Sequence, residues 1–437
     1  MATQRLSSIL QHITPSSSSP KSPRENMTSK NPDDIVITLA IRTPLCKAHK
    51  GLFKDTPLDY LLYSLLKQVL ARSHIDPSLV EDICVGNVSS SKSAYQIRAA
   101  LLAAGFPVTT SSSSVNRFCS SGLKAIQDIA NAIRNGDIEC GIAIGAESMT
   151  TGGDRLDRPF HDDILNANSD ARDCMQPMGQ TSETVAREFG VDREAQDRYA
   201  ADSFAKAEHA QREGWFEDEI VPVRTKVRDP ETGVETEVLV TRDEGPRWGT
   251  TFEGLSQIKP AFPEFGDRST GGNSSQVTDG AAVVLLMTRS LAHTLSQPIL
   301  AKYLTSTTTG LPPRIMGIGP TLAIPKLLSR LSRQYSPSPS TPTLTVNDVD
   351  LFEINEAFAS MAVYTQRELG IEREKMNPRG GAIALGHPLG CTGVRLVVSG
   401  LSELRRRGEG DLGGKVLVVS MCVGTGMGMA GGFISEM

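Results

Sequence analysis

The sequence predicts an α/β protein in which strands and helices alternate around a mainly parallel sheet. Two observations support this class. From Asp34 onward, short β-branched apolar runs alternate with longer amphipathic runs. The same order of runs then returns in the last third of the chain, which indicates two halves of similar architecture. In each half, a turn of small residues opens a helix, and the next strand ends in Gly and Met.

Composition narrows the functional classes. The chain has 437 residues, a net charge of −5, 39% hydrophobic and 22% charged residues. These values describe a globular protein and argue against nucleic acid as the main partner. No apolar run approaches the roughly 20 residues of a membrane span. Seven cysteines lie scattered without CxxC spacing, which suits a reducing compartment and gives no zinc or disulfide signature.

The elements of the first half follow one another clearly. Helices are predicted from the runs TPLDYLLYSLLKQVLARS, AYQIRAALLAAG and the stretch after Cys119, because their apolar residues recur at helical spacing. The strands predicted between them are IVITLAIR, VEDICVGNV, SSSVNRF and ECGIAIGAESMT. We expect residues 34–149 and 276–297 to form the N-terminal half.

Residues 150–275 are more charged and less periodic, so we expect an inserted loop domain there, with two helices between residues 182 and 214. Residues 298–437 are expected to form the C-terminal half. Within it, the Ser/Pro-rich run of residues 329–344 predicts a solvent-exposed loop.

Residues 1–33 are expected to be a flexible leader, because a Ser/Pro/charged stretch cannot bury apolar surface. Ahead of that stretch, residues 5–13 read RLSSILQHI. This run resembles a type-2 peroxisomal targeting signal, a basic–aliphatic pair separated by five residues from a His–aliphatic pair. The resemblance implies recognition by the peroxisomal import receptor and a location in the peroxisomal matrix.

Four stretches carry residues suited to acyl chemistry. Cys119 lies in NRFCSSG at the mouth of a predicted helix, where unpaired backbone N–H groups favour a thiolate. His387 lies in the glycine-rich turn GHPLG, and Cys422 precedes GTGMG. Taken singly, Cys119 could be a nucleophile or a core residue, and Cys422 could be an acid/base thiol or core filler. Asn355, in NEAFA, could form a turn or hold a water.

Together these stretches resemble the thiolase family. The resemblance runs from about Asp34 to about Ile434 and covers nearly the whole folded chain. Its blocks occur in family order: RTPLCKAHKGLFKDT, VNRFCSSGLKA, AESM, ARDCMQPMGQTSE, DEGPRWGTTFEGLSQIKPAF, GGNSSQVTDGAA, PRIMGIGP, FEINEAFA, NPRGGAIALGHPLGCTG and SMCVGTGMG. It implies duplicated βαβαβαββ halves that form a five-layer α-β-α-β-α core.

The resemblance also implies a reaction, thiolytic cleavage of 3-ketoacyl-CoA in fatty-acid β-oxidation. Cys119 would attack the 3-keto carbonyl with His387 as base, and Cys422 would act as the acid/base thiol. One oxyanion site would consist of His387 and a water on Asn355, and the other of the backbone N–H groups of Cys119 and Gly424.

For CoA, the resemblance implies contacts from Ser275, Phe262 and Met178. CoA would be a co-substrate, with no metal and no other cofactor, and the enzyme would be a homodimer. Phe118 departs from the family pattern, because glutamine is common at that position, and it could reshape access for the acyl chain.

Three alternatives remain at this point. An acetoacetyl-CoA thiolase shares every catalytic residue, so motifs do not separate it from the degradative enzyme. A ketoacyl synthase would pair its cysteine with two histidines, or with His and Asn, whereas Asn355 and Cys422 accompany His387 here. A non-catalytic binding protein of the same fold would be expected to lack Cys119, His387 or Cys422.

Overall fold

The computed structural model describes residues 22–152, 160–336, 343–408 and 414–437. The chain up to the insertion contains α1 (Pro23–Met27), β1 (Ile35–Arg42), β2 (Cys46–Lys47), α2 (Leu58–Ser73), β3 (Asp82–Gly86), α3 (Ser93–Ala104), β4 (Ser111–Val115), α4 (Ser121–Asn135) and β5 (Cys140–Ser148). Helices α3 and α4 end at Gly105 and Gly136, whose positive φ angles of 108° and 77° suit glycine at a helix C-terminus.

The insertion between β5 and β8 contains mainly helices and one hairpin. Its elements are α5 (Asp162–Ala167), α6 (Ser169–Asp173), α7 (Met178–Glu188), α8 (Arg193–Arg212), β6 (Val223–Arg228), β7 (Glu235–Val240) and α9 (Phe252–Ser256). The two predicted helices correspond to α7 and α8. The exact domain boundaries stay a prediction.

The rest of the chain returns to strand–helix alternation. Its elements are β8 (Thr278–Thr288), α10 (Arg289–Thr294), β9 (Ala301–Gly310), α11 (Gly319–Tyr335), β10 (Leu351–Ile354), α12 (Ala359–Leu369), α13 (Ala382–Leu385), α14 (Leu389–Arg407), β11 (Val416–Val423) and β12 (Met427–Ser435). Short 3-10 turns occur at Pro77–Leu79, Pro313–Ile318, Val346–Asp348 and Arg373–Lys375.

Apart from the β6–β7 hairpin, the strands form one mixed sheet in the order β10-β11-β12-β9-β1-β8-β5-β3-β4, and β2 pairs with β8 beside this path. Among the described strands, β3 pairs with β4 and with β5 in parallel, as does β10 with β11, and the other strand pairs are antiparallel. The prediction of a mainly parallel sheet is therefore wrong. One reason is that β12 follows β11 through a three-residue turn, and a connection this short can join only antiparallel strands.

The two halves share one topology, as predicted. In the first half, β8 lies antiparallel to β1 and β5, and β3 and β4 follow in parallel. In the second half, β12 lies antiparallel to β9 and β11, and β10 follows in parallel. The counterpart of β4 is reduced to a single parallel bridge between Phe352 and Met376.

Helices divide the fold into five layers, which confirms the predicted architecture. Helices α2 and α3 cover one face of the first sheet half, α11 and α12 cover the outer face of the second, and α4 and α14 lie between. Helix α14 is buried along most of its length. Within the described ranges, no helix combines the length and apolarity needed to cross a bilayer.

Two glycines let the central helices α4 and α14 approach closely. A Cβ at Gly122 would lie 2.6 Å from the Gly390 carbonyl oxygen, and one at Gly393 would lie 2.3 Å from the Leu123 nitrogen. Any side chain at these positions would push the helices apart. The glycines in the Cys119 and His387 motifs therefore set the distance between the two halves.

Residues 22–33, the last part of the expected leader, pack against the rest of the fold. Helix α1 packs on the C-terminal half, where Met27 is fully buried among the residues beneath α11. Arg24 pairs with Asp350 at 2.6 Å, and Lys302 donates to the Ser29 carbonyl. The expectation of a flexible leader to residue 33 is thus wrong for residues 22–33, because Met27 supplies an apolar anchor. Residues 5–13 lie outside the described residues.

The prediction of a loop over the Ser/Pro-rich run is wrong for residues 329–335, which are helical. Helix α11 continues to Tyr335, and Leu331 and Ser332 are buried. Leu327, Leu328 and Leu331 share one face of that helix, and their packing outweighs the weak helix preference of the serines.

Candidate active site

Cys119 lies in a strained turn between β4 and α4. The preceding residue, Phe118, has φ of +45°, a conformation that is costly for a side chain this large. The Phe118 N–H donates to Asn116 Oδ1 at 2.9 Å, and Ser121 Oγ donates to the Phe118 carbonyl at 2.7 Å. These bonds hold the turn, so Cys119 is fixed immediately before the α4 N-terminus.

His387 lies at the corresponding place before α14. Its Nδ1 lies 2.7 Å from Thr392 Oγ1, which itself lies 3.2 Å from the Pro388 carbonyl. Because Thr392 donates to that carbonyl, it accepts the Nδ1 proton, which leaves Nε2 as an acceptor. Burial, together with the charge of Arg395, lowers the pKa of His387 to about 3, so the ring is neutral near pH 7.

Asn355 approaches the same ring from the end of β10. Its Nδ2 lies 3.3 Å from His387 Nε2. Its Oδ1 is buried and has no hydrogen-bond partner among the described residues. A buried amide oxygen of this kind suits a small polar ligand beside the imidazole.

Cys422 lies at the end of β11, where the hairpin to β12 turns within three residues. Thr425 and Gly426 both have positive φ in this turn. Cys422 is buried, and burial followed by the influence of nearby Cys119 raises the pKa of its thiol far above the usual range. A Cβ at Gly424 would lie 3.6 Å from the Phe118 ring, so this turn packs against the Cys119 turn.

The helix crossing brings these groups to one place. Cys119 and His387 each lie three residues before one of the crossing glycines, Gly122 and Gly390. The predicted residues Cys119, His387, Cys422, Asn355 and Gly424 therefore meet at the junction of the two halves. The arrangement provides two thiols, a neutral imidazole and an amide within one buried site.

A carboxylate to which the sequence assigns no role helps to hold this junction. Glu147 accepts hydrogen bonds from the Val88, Ser89 and Gly390 N–H groups, and so ties the first half to the start of α14. In the sequence, its motif AESM is visible only as one block of the family resemblance.

Glu356 connects the loop of Asn355 to the loop of His387. It accepts from Ser203 Oγ at 2.7 Å, Asn377 Nδ2 at 2.8 Å and Tyr199 Oη at 3.0 Å. It also accepts from the Ile383 N–H, close to His387. Thr392 has a similar supporting role, since it sets the His387 tautomer.

The residues expected to contact CoA lie beside the same junction. Met178 and Phe262 pack against an apolar cluster that includes Cys422 and Phe358. The Phe262 ring fills the space over Gly179, where a Cβ would lie 2.5 Å from it. The Ser275 N–H donates to the Ala357 carbonyl at 3.0 Å, two residues from Asn355.

The side chains that meet at this junction define the chemistry that the site can perform. In the part of the chain that the structure describes, no three His, Cys, Asp or Glu side chains are grouped as metal ligands. The fold and site define an acyl-transferring enzyme that combines a cysteine at a helix N-terminus with a histidine and a second cysteine.

Comparisons with known proteins give the family. The thiolase N-terminal domain model matches residues 35–290, and the thiolase C-terminal domain model matches residues 297–434. The chain belongs to the thiolase family. It is 50% identical over 412 residues to the peroxisomal 3-ketoacyl-CoA thiolase of Yarrowia lipolytica, covering 94% of this chain and 95% of that protein.

Solved structures of thiolases are also similar to this chain. The dimeric peroxisomal thiolase of Saccharomyces cerevisiae matches with a TM-score of 0.84 and 45% identity, covering 94% of this chain and all of that chain. Human mitochondrial 3-ketoacyl-CoA thiolase in complex with CoA matches with a TM-score of 0.77 and 31% identity, over 92% of this chain and 98% of that chain.

The neutral, buried His387 predicts a loss of stability in acid. Its folded pKa of about 3 lies below the ordinary value of 6.5, so between these values the unfolded chain binds the proton more tightly. Stability from this group is present above pH 6.5 and falls as the pH drops toward 3. From pH 7 to 5, we expect the wild type to lose roughly 2 kcal/mol more unfolding free energy than His387→Asn. Urea unfolding at both pH values measures this, and equal losses would contradict it.

Proposed function

We propose that this chain is a peroxisomal 3-ketoacyl-CoA thiolase of fatty-acid β-oxidation, an acyltransferase that cleaves 3-ketoacyl-CoA with CoA. The products are acetyl-CoA and an acyl-CoA shortened by two carbons. The observation that carries this proposal is that Asn355 lies against His387 while the turn after Cys422 packs against the turn of Cys119, at the junction of the two halves. The peroxisomal thiolases that match nearly the whole chain support the substrate and the pathway.

The first half-reaction makes an acyl-enzyme. The Cys119 thiol gives its proton to His387 Nε2, and the thiolate attacks the 3-keto carbon. Although burial disfavours the imidazolium, a thiolate beside it favours that form. The Cα–Cβ bond then breaks, and its electron pair passes to the acetyl-CoA fragment as an enolate. Cys422 gives its proton to the enolate carbon, and acetyl-CoA leaves.

The second half-reaction returns the enzyme to its starting state. The Cys422 thiolate takes the proton of an incoming CoA thiol, and the CoA sulfur attacks the acyl group on Cys119. Cys119 leaves as a thiolate and regains its proton from His387. In these steps, every proton and the acyl group pass between the two substrates and the side chains of the site.

Each half-reaction develops a negative oxygen, and the site offers two places for it. His387 and a water held by Asn355 stabilise the enolate, for which the buried, unpartnered Asn355 Oδ1 is the supporting observation. The backbone N–H groups of Cys119 and Gly424 stabilise the oxyanion on the acyl carbon. Such donors each contribute roughly 100- to 1,000-fold to the rate.

CoA is expected to lie along Met178, Phe262 and Ser275, which lie beside the cluster that contains Cys422. The human thiolase with bound CoA supports a CoA site in this fold. CoA acts as a co-substrate, and the proposed chemistry requires no other cofactor.

A homodimer completes the proposal. Strand β4 lies at the end of the sheet, where its outer edge leaves backbone groups available for pairing. Tyr95 and Val108 near this edge are 81% and 76% exposed, which supports a contact surface. The yeast relative is dimeric.

The peroxisomal relatives also support the reading of residues 5–13 as an import signal. The import receptor would then be a partner of the leader. A reporter carrying residues 1–30 that stays in the cytosol would contradict this part of the proposal.

The function is tested by steady-state thiolysis with purified protein and CoA. We expect 3-ketoacyl-CoA of medium and long chain to give a higher kcat/KM than acetoacetyl-CoA. Turnover of acetoacetyl-CoA alone would favour the alternative, an acetyl-CoA C-acetyltransferase. Phe118 would then be the first residue to change, because the residue is 39% exposed and its ring lies against Gly424.

A further inference from the structure

The thiol of Cys422 has a defined hydrogen-bond acceptor. Cys422 Sγ lies 3.8 Å from the thioether Sδ of Met361, and both residues are almost fully buried. A thioether sulfur accepts hydrogen bonds and has no proton to donate. The contact therefore has one direction, and the thiol proton points at Met361 Sδ.

Met361 is itself held in place. It is the third residue of α12, and the connection before that helix carries Asn355. A Cβ at Gly317 would lie 2.4 Å from Met361 Cγ and 2.7 Å from Met361 Sδ. The glycine leaves the space that the thioether occupies.

The surroundings leave few other ways to hold the thiol proton. Met361 and Cys422 belong to one buried cluster with Met316, Ala357 and Phe358, and Met178 and Phe262 pack against it. Apart from sulfur, the side chains of this cluster offer no hydrogen-bond acceptor. Without Met361, the S–H group would lose the one acceptor that this cluster provides on that side of the thiol.

We propose that Met361 is a positioning residue for Cys422. Its thioether sulfur accepts the hydrogen bond of the Cys422 thiol and so holds the thiol proton in one orientation between proton transfers. This inference rests on the proposed function. In the first half-reaction, the proton passes from Cys422 Sγ to the enolate carbon, and the S–H···S contact breaks. The thiolate then takes the proton of the CoA thiol, and the contact forms again.

Two substitutions separate hydrogen bonding from packing. Met361→Leu keeps the volume and the apolar character but removes the acceptor. Met361→Gln keeps an acceptor, its amide oxygen, but buries two N–H donors in an apolar cluster. If Met361 acts by packing, leucine is the better replacement. If it acts as an acceptor, glutamine is the better replacement for activity and the poorer one for stability.

We expect Met361→Leu to lower kcat for thiolysis by about 3- to 10-fold, the effect of one modest hydrogen bond, with KM changed by less than about twofold. Met361→Gln is expected to keep kcat within about twofold of wild type although its melting temperature falls. The rate at which iodoacetamide alkylates Cys119, followed by peptide mass mapping, should be the same in all three proteins.

Each other outcome overturns the inference. Equal activity in all three proteins would show that the contact has no role, and higher activity in the leucine variant than in the glutamine variant would show that Met361 only fills space. An equal loss in both variants would have the same meaning. The proposed function fails separately, if the wild type turns over no 3-ketoacyl-CoA.

Discussion

Replacing Cys119 with alanine is expected to lower kcat for thiolysis by on the order of 10⁵-fold or more, a loss typical of a missing covalent nucleophile. Without the sulfur, no acyl-enzyme forms, and the remaining groups have no covalent step to assist. The oxyanion sites remain in this variant, so binding of the substrate should change little.

The measurement has two parts. Steady-state thiolysis gives the rate, and mass analysis of protein quenched during turnover shows whether the acyl group is on the peptide that contains Cys119. Cys84→Ala is a matched control, because Cys84 is also a buried thiol in the first half, and burial raises the pKa of Cys84 to about 11. We expect the control to form the acyl-enzyme. An acyl group on Cys422 instead would assign the roles of the two thiols the other way round.

Replacing Arg42 with methionine is expected to destabilise the fold by about 3–5 kcal/mol, the effect of removing one member of a buried ion-pair network. The Arg42 guanidinium is fully buried, with Nε 2.6 Å from Glu219 Oε1 and Nη1 2.7 Å from Asp243 Oδ1. Methionine retains much of the volume of the arginine side chain. The loss of unfolding free energy therefore measures mainly the effect of removing the positive charge.

Arg24→Met is the matched control for that variant. Arg24 pairs with Asp350 at a similar distance of 2.6 Å, but 36% of its side chain is exposed. An ion pair that water screens is worth about 0–1 kcal/mol. The free energy of unfolding from urea titration measures both variants, and equal losses would contradict the role of burial.

The ion pairs of Arg42 with Glu219 and Asp243 are also connected to the active site through hydrogen bonds. Asp243 lies two residues before Gly245, whose carbonyl accepts from Gln276 Nε2 at 3.1 Å. The Gln276 carbonyl in turn accepts from the His387 N–H at 2.9 Å. We therefore expect Arg42→Met to weaken the support of the His387 turn as well as the fold.

The sequence by itself determined the α/β class, the duplication and the motif residues of the site. Helical and strand periodicities are local properties, so most elements of the first half could be placed from runs of ten to twenty residues. The helix-mouth position of Cys119 and the glycine-rich turn of His387 were equally visible, because both depend on neighbours in the chain.

The tertiary structure alone decided which side chains support these residues. Met361 lies 61 positions from Cys422, and Glu147 lies 243 positions from Gly390. Neither pairing follows a local period. Both depend on how α4 and α14 cross at Gly122 and Gly390, and that crossing is set by close packing between the two halves.

Two errors of sequence reasoning have the same origin. Polar composition predicts a flexible leader that includes residues 22–33, and it predicts a loop at the start of the Ser/Pro-rich run. In the fold, Met27 and Leu331 pack in one apolar cluster beneath α11. A few apolar side chains are enough to order a polar segment when a preformed surface receives them, and only the tertiary structure shows that surface.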